Sequence, residues 1–271
     1  MNEPKVRRIA IACDAACDIR VAVGEAAALA ERWKASLHGV FFEDENLYRL
    51  AALPFGRQMT LSPAVSESFS GAELEKLSSA LGASMRRELS EAAAQHGLEW
   101  SFAVVRDLPS AATLAEIEAD VLVVDAAPRP FSGSWRPHSS LGALSEGHGS
   151  TTLIWRQKPR RPGTVLILLG EQADRENALA AGVLMAGSED EILVLLRGGS
   201  PEDISALKEL AAPLGFPGKI RFEVTTRDNP SLVRQIEGLK PVLIVLDGRE
   251  AADPVRRDLL ANTQCDVLLV R

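Results

Sequence analysis

A chain of 271 residues with 46% hydrophobic and 25% charged content is too long for one typical core and too apolar for disorder, so two cores are expected. A net charge of −7 and a pI near 5.3 exclude a phosphate-tracking surface, since clustered Lys and Arg supply most nucleic-acid affinity. Three cysteines, no amino-terminal signal pattern and no apolar run near the roughly 20 residues of a membrane helix read as a cytoplasmic protein with free thiols and no membrane partner.

The first predicted strand, Val6 to Cys13, is β-branched and apolar and stops at the acidic turn Asp14-Ala-Ala-Cys-Asp18. From Ile19 to Lys34, apolar residues recur at three and four, the spacing of one helical face. Leu37 to Phe42 is a second buried strand. Glu43 to Gly71 reads as a loop with a short helical patch around Leu47 to Leu53, because Pro54, Gly56 and Pro63 interrupt any longer period. A long helix follows with Leu74, Leu77, Leu81, Met85 and Leu89 on one side, and His96-Gly97 supplies its stop, with His96 read as a cap residue. Trp100 to Arg106 is a third strand and Ser110 to Glu118 a short helix. Val121 to Val124 is a fourth strand, apolar throughout as a parallel strand covered on both faces would be. Ser150 to Trp155 is the fifth.

Arg156 to Arg161, a basic run containing a proline, reads as a solvated linker. Beyond it the pattern begins again. Strands are expected at Val165 to Leu169, Ile192 to Leu196, Ile220 to Thr225, Val242 to Leu246 and Val267 to Val270. Helices are expected at Asp174 to Gly187, Glu202 to Leu214, Ser231 to Gly238 and Pro254 to Asn262. The expected fold is α/β, two tandem open parallel five-stranded sheets with flanking helices and right-handed crossovers, divided into residues 1–157 and 163–271. The letters repeat as well. Asp120-Val-Leu-Val-Val-Asp125 parallels Pro241-Val-Leu-Ile-Val-Leu-Asp247, and Thr152-Leu-Ile-Trp-Arg156 parallels Val267-Leu-Leu-Val-Arg271. An internal duplication packed about a local pseudo-twofold axis, an intramolecular pseudo-dimer, is the economical reading.

Ligands of open parallel sheets bind beyond the carboxyl ends of the strands, which here means Asp14, Phe41 to Asp44, Arg106 to Pro109 and Asp125 to Ser140. Three segments there resemble the universal stress protein family and its tandem two-domain members. Ile9-Ala-Ile-Ala-Cys-Asp14 is similar to the family's opening strand, Leu37-His-Gly-Val-Phe-Phe42 to its second, and Ala119-Asp-Val-Leu-Val-Val124 to its fourth. The resemblance implies an adenine nucleotide contacted by Asp14 and the Val40 backbone, and a phosphate loop after the fourth strand. Nucleotide-binding members carry Gly-x2-Gly-x9-Gly-Ser or Gly-Thr in that loop, because glycine amides can wrap phosphate closely.

The same offsets here fall on Asp125, Pro128 and His138-Ser139, with Ser140 following. The loop keeps its family length and loses its chemistry. Asp125 sets a charge where a polyphosphate would lie, a repulsion of about 1 to 4 kcal/mol at 4 Å, and Pro128 removes an amide donor. The second unit departs further, with Leu169-Gly170 in place of the adenine-contacting aspartate and a shorter interval between its last two strands. It reads as a structural partner.

Each candidate has a plainer role beside the functional one. Asp14 suits an adenine edge or a turn or helix cap, and Asp125 suits a strand-end turn. Cys13 and Cys17 lack redox-pair spacing, and His138 and His148 lack a metal-ligand pattern, so no metal is expected. Leu47 to Phe55 forms an apolar patch that either covers the sheet or meets a protein partner. No enzyme motif is present: no Gly-x-Ser-x-Gly elbow, Walker loop or His-Glu-x-x-His. The expected function is a non-enzymatic stress-response or regulatory protein without cofactor, acting through protein contacts, homodimerisation or an unidentified small ligand. Its alternatives are an ATP or adenine-nucleotide switch in the first unit, and a slow ATP hydrolase.

Overall fold

The structure is a computed structural model and describes residues 6–15, 17–51, 57–59, 66–68, 71–107, 111–125, 150–156, 161–170, 173–247 and 253–271. Packing divides the chain into two compact units, Arg7–Pro109 and Ser110–Arg271.

In the first unit, strands β1 (Arg8–Cys13), β2 (Ser36–Glu43) and β5 (Trp100–Arg106) are parallel, with β2 central. Helix α1 (Ile19–Trp33) starts at Asp18, whose carboxylate accepts from the Val21 N–H at 3.4 Å. It buries Ala22, Val23, Ala26, Ala27 and Ala30, a stripe small enough to let the helix lie close on its neighbours. Its end is Lys34, held in the left-handed region at φ 54. The long helix α3 (Gly71–His96) crosses β2 where Gly39 sits. A Cβ on Gly39 would come within 3.0 Å of Leu89 and 3.2 Å of Phe102, so a larger residue would make these side chains give way by a few tenths of an ångström. Gly97, at φ 64, ends the helix as its sequence position implied. His96 does something other than cap: its ring Nδ1 lies 2.7 Å from Glu31 and ties α3 to α1.

The excursion between β2 and α3 holds the short helix α2 (Glu45–Ala51) and one element that periodicity missed, an antiparallel pairing of β3 (Arg57–Met59) with β4 (Ser66–Ser68). Three-residue strands carry too few side chains to show a period of two.

The second unit holds helix α4 (Ala111–Ala115) and strands β6 (Val121–Asp125), β7 (Thr151–Trp155), β8 (Thr164–Leu169), β9 (Glu191–Arg197), β10 (Ile220–Thr225), β11 (Leu243–Asp247) and β12 (Asp266–Val270). They run in the order β10-β9-β8-β11-β12-β7-β6. Helices α5 (Arg175–Met185), α6 (Pro201–Ala211), α7 (Asn229–Leu239) and α8 (Pro254–Asn262) cover them. Strand cores such as Val165–Leu169 and Ile192–Leu196 are buried at every position, the signature of strands covered on both faces. Helix α6 begins with a reciprocal Ser200–Asp203 capping box and Pro201 in its first turn.

One pairing corrects the expectation of two separate, wholly parallel sheets. β7 and β12 are hydrogen-bonded to each other, antiparallel, with Thr152 opposite Leu269, Leu153 opposite Leu268 and Ile154 opposite Val267. The last strand of each expected set therefore joins its counterpart, and the expected boundary at 157–163 falls inside the Ser110–Arg271 unit. Leu153 and Leu268 are also counterparts in the repeated letters, so a local twofold passes between them. The Arg156 backbone N–H donates to Asp266 at 2.9 Å and its guanidinium donates to the Leu260 carbonyl at 2.7 Å, closing one end of this ladder.

The parallel pairs also align the repeated letters, which differ by one residue in length. Asp125 lies opposite Trp155 and Asp247 opposite Val270. The two aspartates are therefore equivalent strand ends.

Candidate functional site

Asp14 follows β1 directly and is half-buried. Its carbonyl accepts from the Cys17 N–H at 3.1 Å, closing a tight turn, while the helix cap is Asp18. Val40 lies on the neighbouring strand, opposite Ala12, with its side chain buried. The structure thus brings Asp14 and the Val40 backbone to adjacent strands. Asp125 is the last residue of β6 and belongs to the other unit. Pro128, His138, Ser139, Ser140, His148, Leu53 and Phe55 lie outside the described residues.

The carboxyl ends of β2 and β5 hold a cluster that sequence reading did not assemble. Glu43 and Arg106 face each other in register. The buried Glu43 carboxylate accepts from Arg106 Nε at 2.9 Å and from the Ser78 hydroxyl of α3 at 2.8 Å. Arg106 also donates to Glu75 at 3.0 Å, and its guanidinium carbon stands 4.4 Å from the Tyr48 ring centroid. Hydrogen bonds to Glu43 and then Glu75 hold the guanidinium firmly protonated. One cation therefore ties α2, through Tyr48, and α3, through Glu75, to the ends of two strands. The legible signal was an acid and a base each ending an apolar run, but their registration needed the sheet.

The corresponding end of the second unit is filled by its own ion pairs. Arg197, ending β9, donates to Asp253 at 2.5 Å and to Asn229 at 3.3 Å. Arg175 donates to Asp203 at 2.7 Å. The Ser200 backbone amide, followed by Arg175, holds the Asp203 carboxyl down to about 2. Asp247, equivalent to Asp125, is 6% exposed and accepts from the Asp174 N–H at 2.7 Å, fixing the start of α5. At this position the strand-end aspartate serves the turn, and the Arg175 and Arg197 guanidiniums each have a carboxylate.

Cys13 is buried, and Cys17 and Cys265 are half-buried; none of the three is in a disulfide. Burial pushes the Cys265 thiol upward, away from the reactive thiolate. A polar groove of about 360 Å³ lined by Arg7, Glu31, Lys34, Ser36, His96 and Glu99 lies at the amino ends of the first unit's strands, opposite the expected site. Among the described residues no group of three or more His, Cys, Asp or Glu could hold a metal ion, and no helix is long and apolar enough to cross a membrane.

No family model and no curated protein matches this chain. Solved structures do. A functionally unknown protein from Pseudomonas aeruginosa is 16% identical, with a TM-score of 0.59 over 97% of this chain and 92% of its own. A universal stress protein from Archaeoglobus fulgidus is 10% identical, with a TM-score of 0.57 over 96% and 95%. The cytoplasmic domain of a prokaryotic cation chloride cotransporter is 12% identical, with a TM-score of 0.53 over 98% and 95%. These likenesses establish an α/β fold of the universal stress protein kind, and the breadth of the proteins that share it means that the fold assigns no activity.

Proposed function

We propose that the chain is a non-enzymatic tandem protein of the universal stress type, with repeats at 1–157 and 163–271 forming an intramolecular pseudo-dimer, and that it regulates through protein contacts or a small ligand other than a triphosphate. The observation that carries this reading is Asp247. The carboxylate at that strand end is spent on the Asp174 amide, and its counterpart Asp125 stands where nucleotide-binding relatives have glycine. Charge at that place repels phosphate, and the ion pairs of Arg175 and Arg197 leave their guanidiniums matched. The Leu47 to Phe55 segment remains the proposed contact surface, with Leu50 half exposed on α2. Three thiols outside any disulfide suit a reducing compartment, the cytoplasm.

Calorimetric titration of the full chain with ATP, ADP and cyclic AMP tests the reading. Binding weaker than the micromolar range is expected for all three, and a low-micromolar constant for any of them overturns it. That outcome would favour the nucleotide switch, which Asp14 supports by keeping its place at the carboxyl end of β1. Turnover of ATP that vanishes in Asp14→Ala would favour the hydrolase.

A further inference from the structure

Strand β5 pairs with β2 on one side and, among the described residues, with no strand on the other. The Leu37 N–H donates to the Glu99 carbonyl at 2.9 Å. Backbone groups alternate sides along a parallel strand, so the odd-numbered residues of β5 face β2 and those of Trp100, Phe102 and Val104 face outward. The same even-numbered side chains lie on the α3 side of the sheet. Phe102 approaches Gly39 beside Leu89 and Met85, and Arg106 reaches Glu75. Between them Val104 is 50% exposed, and Leu77 on α3 is 58% exposed. A free edge and exposed apolar side chains coincide.

We infer that the β5 edge is a homodimer interface, in which it pairs antiparallel with β5 of a second copy about an axis at Phe102. A centre at Phe102 sets its outward N–H and C=O in a mutual hydrogen-bonded pair with the same groups of the second copy. Pairing about Phe102 sets Phe102 opposite itself, Trp100 opposite Val104 and Ser101 opposite Ala103. Aromatic and β-branched pairs of this kind stabilise antiparallel ladders. Glu99 then falls opposite Val105, and Arg106 opposite Leu98, so no like charges meet.

The β10 edge of the second unit, which among the described residues pairs only with β9, argues for a dimer and against a longer assembly. Along β10, Arg221 is held by Glu191 at 2.9 Å and lies 3.8 Å from Glu223, while Lys219 lies 3.4 Å from Glu191. Charged side chains along an edge oppose strand addition. One open edge meeting itself about a twofold closes at two copies.

Sedimentation velocity on the full chain should give a dimer. Val104→Lys, at a half-exposed position, should give a monomer with unchanged circular dichroism, and Val224→Lys on β10 should leave the dimer intact. Independently, Ser101→Cys with Ala103→Cys should cross-link two chains on mild oxidation, because those positions face each other, whereas Ser101→Cys alone should not. A monomer at every soluble concentration, a dimer that survives Val104→Lys, or a double-cysteine variant that fails to cross-link overturns the inference.

Discussion

The carboxyl ends of the strands in the two units solve one problem in two ways. In Arg7–Pro109 the chain leaves β2 for a long excursion, residues 44–70, before α3 begins, and the single guanidinium of Arg106 holds both stems of it. In Ser110–Arg271 the equivalent connection from β9 to α6 is only Gly198-Gly199-Ser200, and separate ion pairs lock each helix start. Loop closure costs little more for a long loop than for a short one, so the strand pattern tolerates either. The difference teaches that strands set the scaffold while connections decide which end stays open to contacts.

The sharpest way to break the comparison is at the ladder where equivalent strands meet. Leu153 is 4% exposed and Leu268 is 1% exposed, and a charge at either should cost about 4 kcal/mol or more. Urea unfolding of Leu153→Asp and Leu268→Asp should show similar losses. Tolerance of one but not the other would mean that the local twofold is only nominal.

Next in size are the strand-end clamps. Glu43→Ala removes the acceptor of Ser78 and of Arg106, and should cost about 1 to 3 kcal/mol. It should also speed tryptic cleavage after Arg49 in α2, since Tyr48 loses its anchored cation. Arg197→Gln should lower the melting temperature by disturbing the starts of α7 and α8 without that local cleavage. If both variants behave alike, the excursion is not held by its own clamp.

Two helix ends supply a smaller test. Lys34 at φ 54 and Lys240 at φ 48 end α1 and α7 in the left-handed region, where glycine fits without steric cost. Each Lys→Gly change should gain up to about 1 kcal/mol in thermal unfolding. A loss at either would show that the lysine side chain does more than end its helix.

Acid should separate the units by the smallest effect. Burial, followed by Arg8, lowers His38 below its ordinary 6.5. The neutral ring therefore contributes stability above pH 6.5 that is lost as pH falls through the lowered value. Asp203 is held at about 2 against an ordinary 3.8, so its contribution is complete above 3.8 and fades only toward pH 2. Melting curves should therefore soften first through His38, and His38→Asn should flatten the response below pH 6.5. An unchanged slope would remove His38 as its source.

The strand and helix sequence of this protein was legible because continuous apolar runs and three-four spacing are local properties. Trp100–Arg106, Ile220–Thr225 and Pro254–Asn262 fall where their letters place them. The repeated letters themselves name the counterpart aspartates to within one residue. What only the tertiary structure decided was pairing: that β7 meets β12 antiparallel, that Asp125 aligns with Asp247, and that Glu43 meets Arg106 across 63 residues of sequence. Hydrogen bonds between strands and ion pairs between their ends join residues far apart in the chain, and no period within one segment encodes the register in which another segment will meet it.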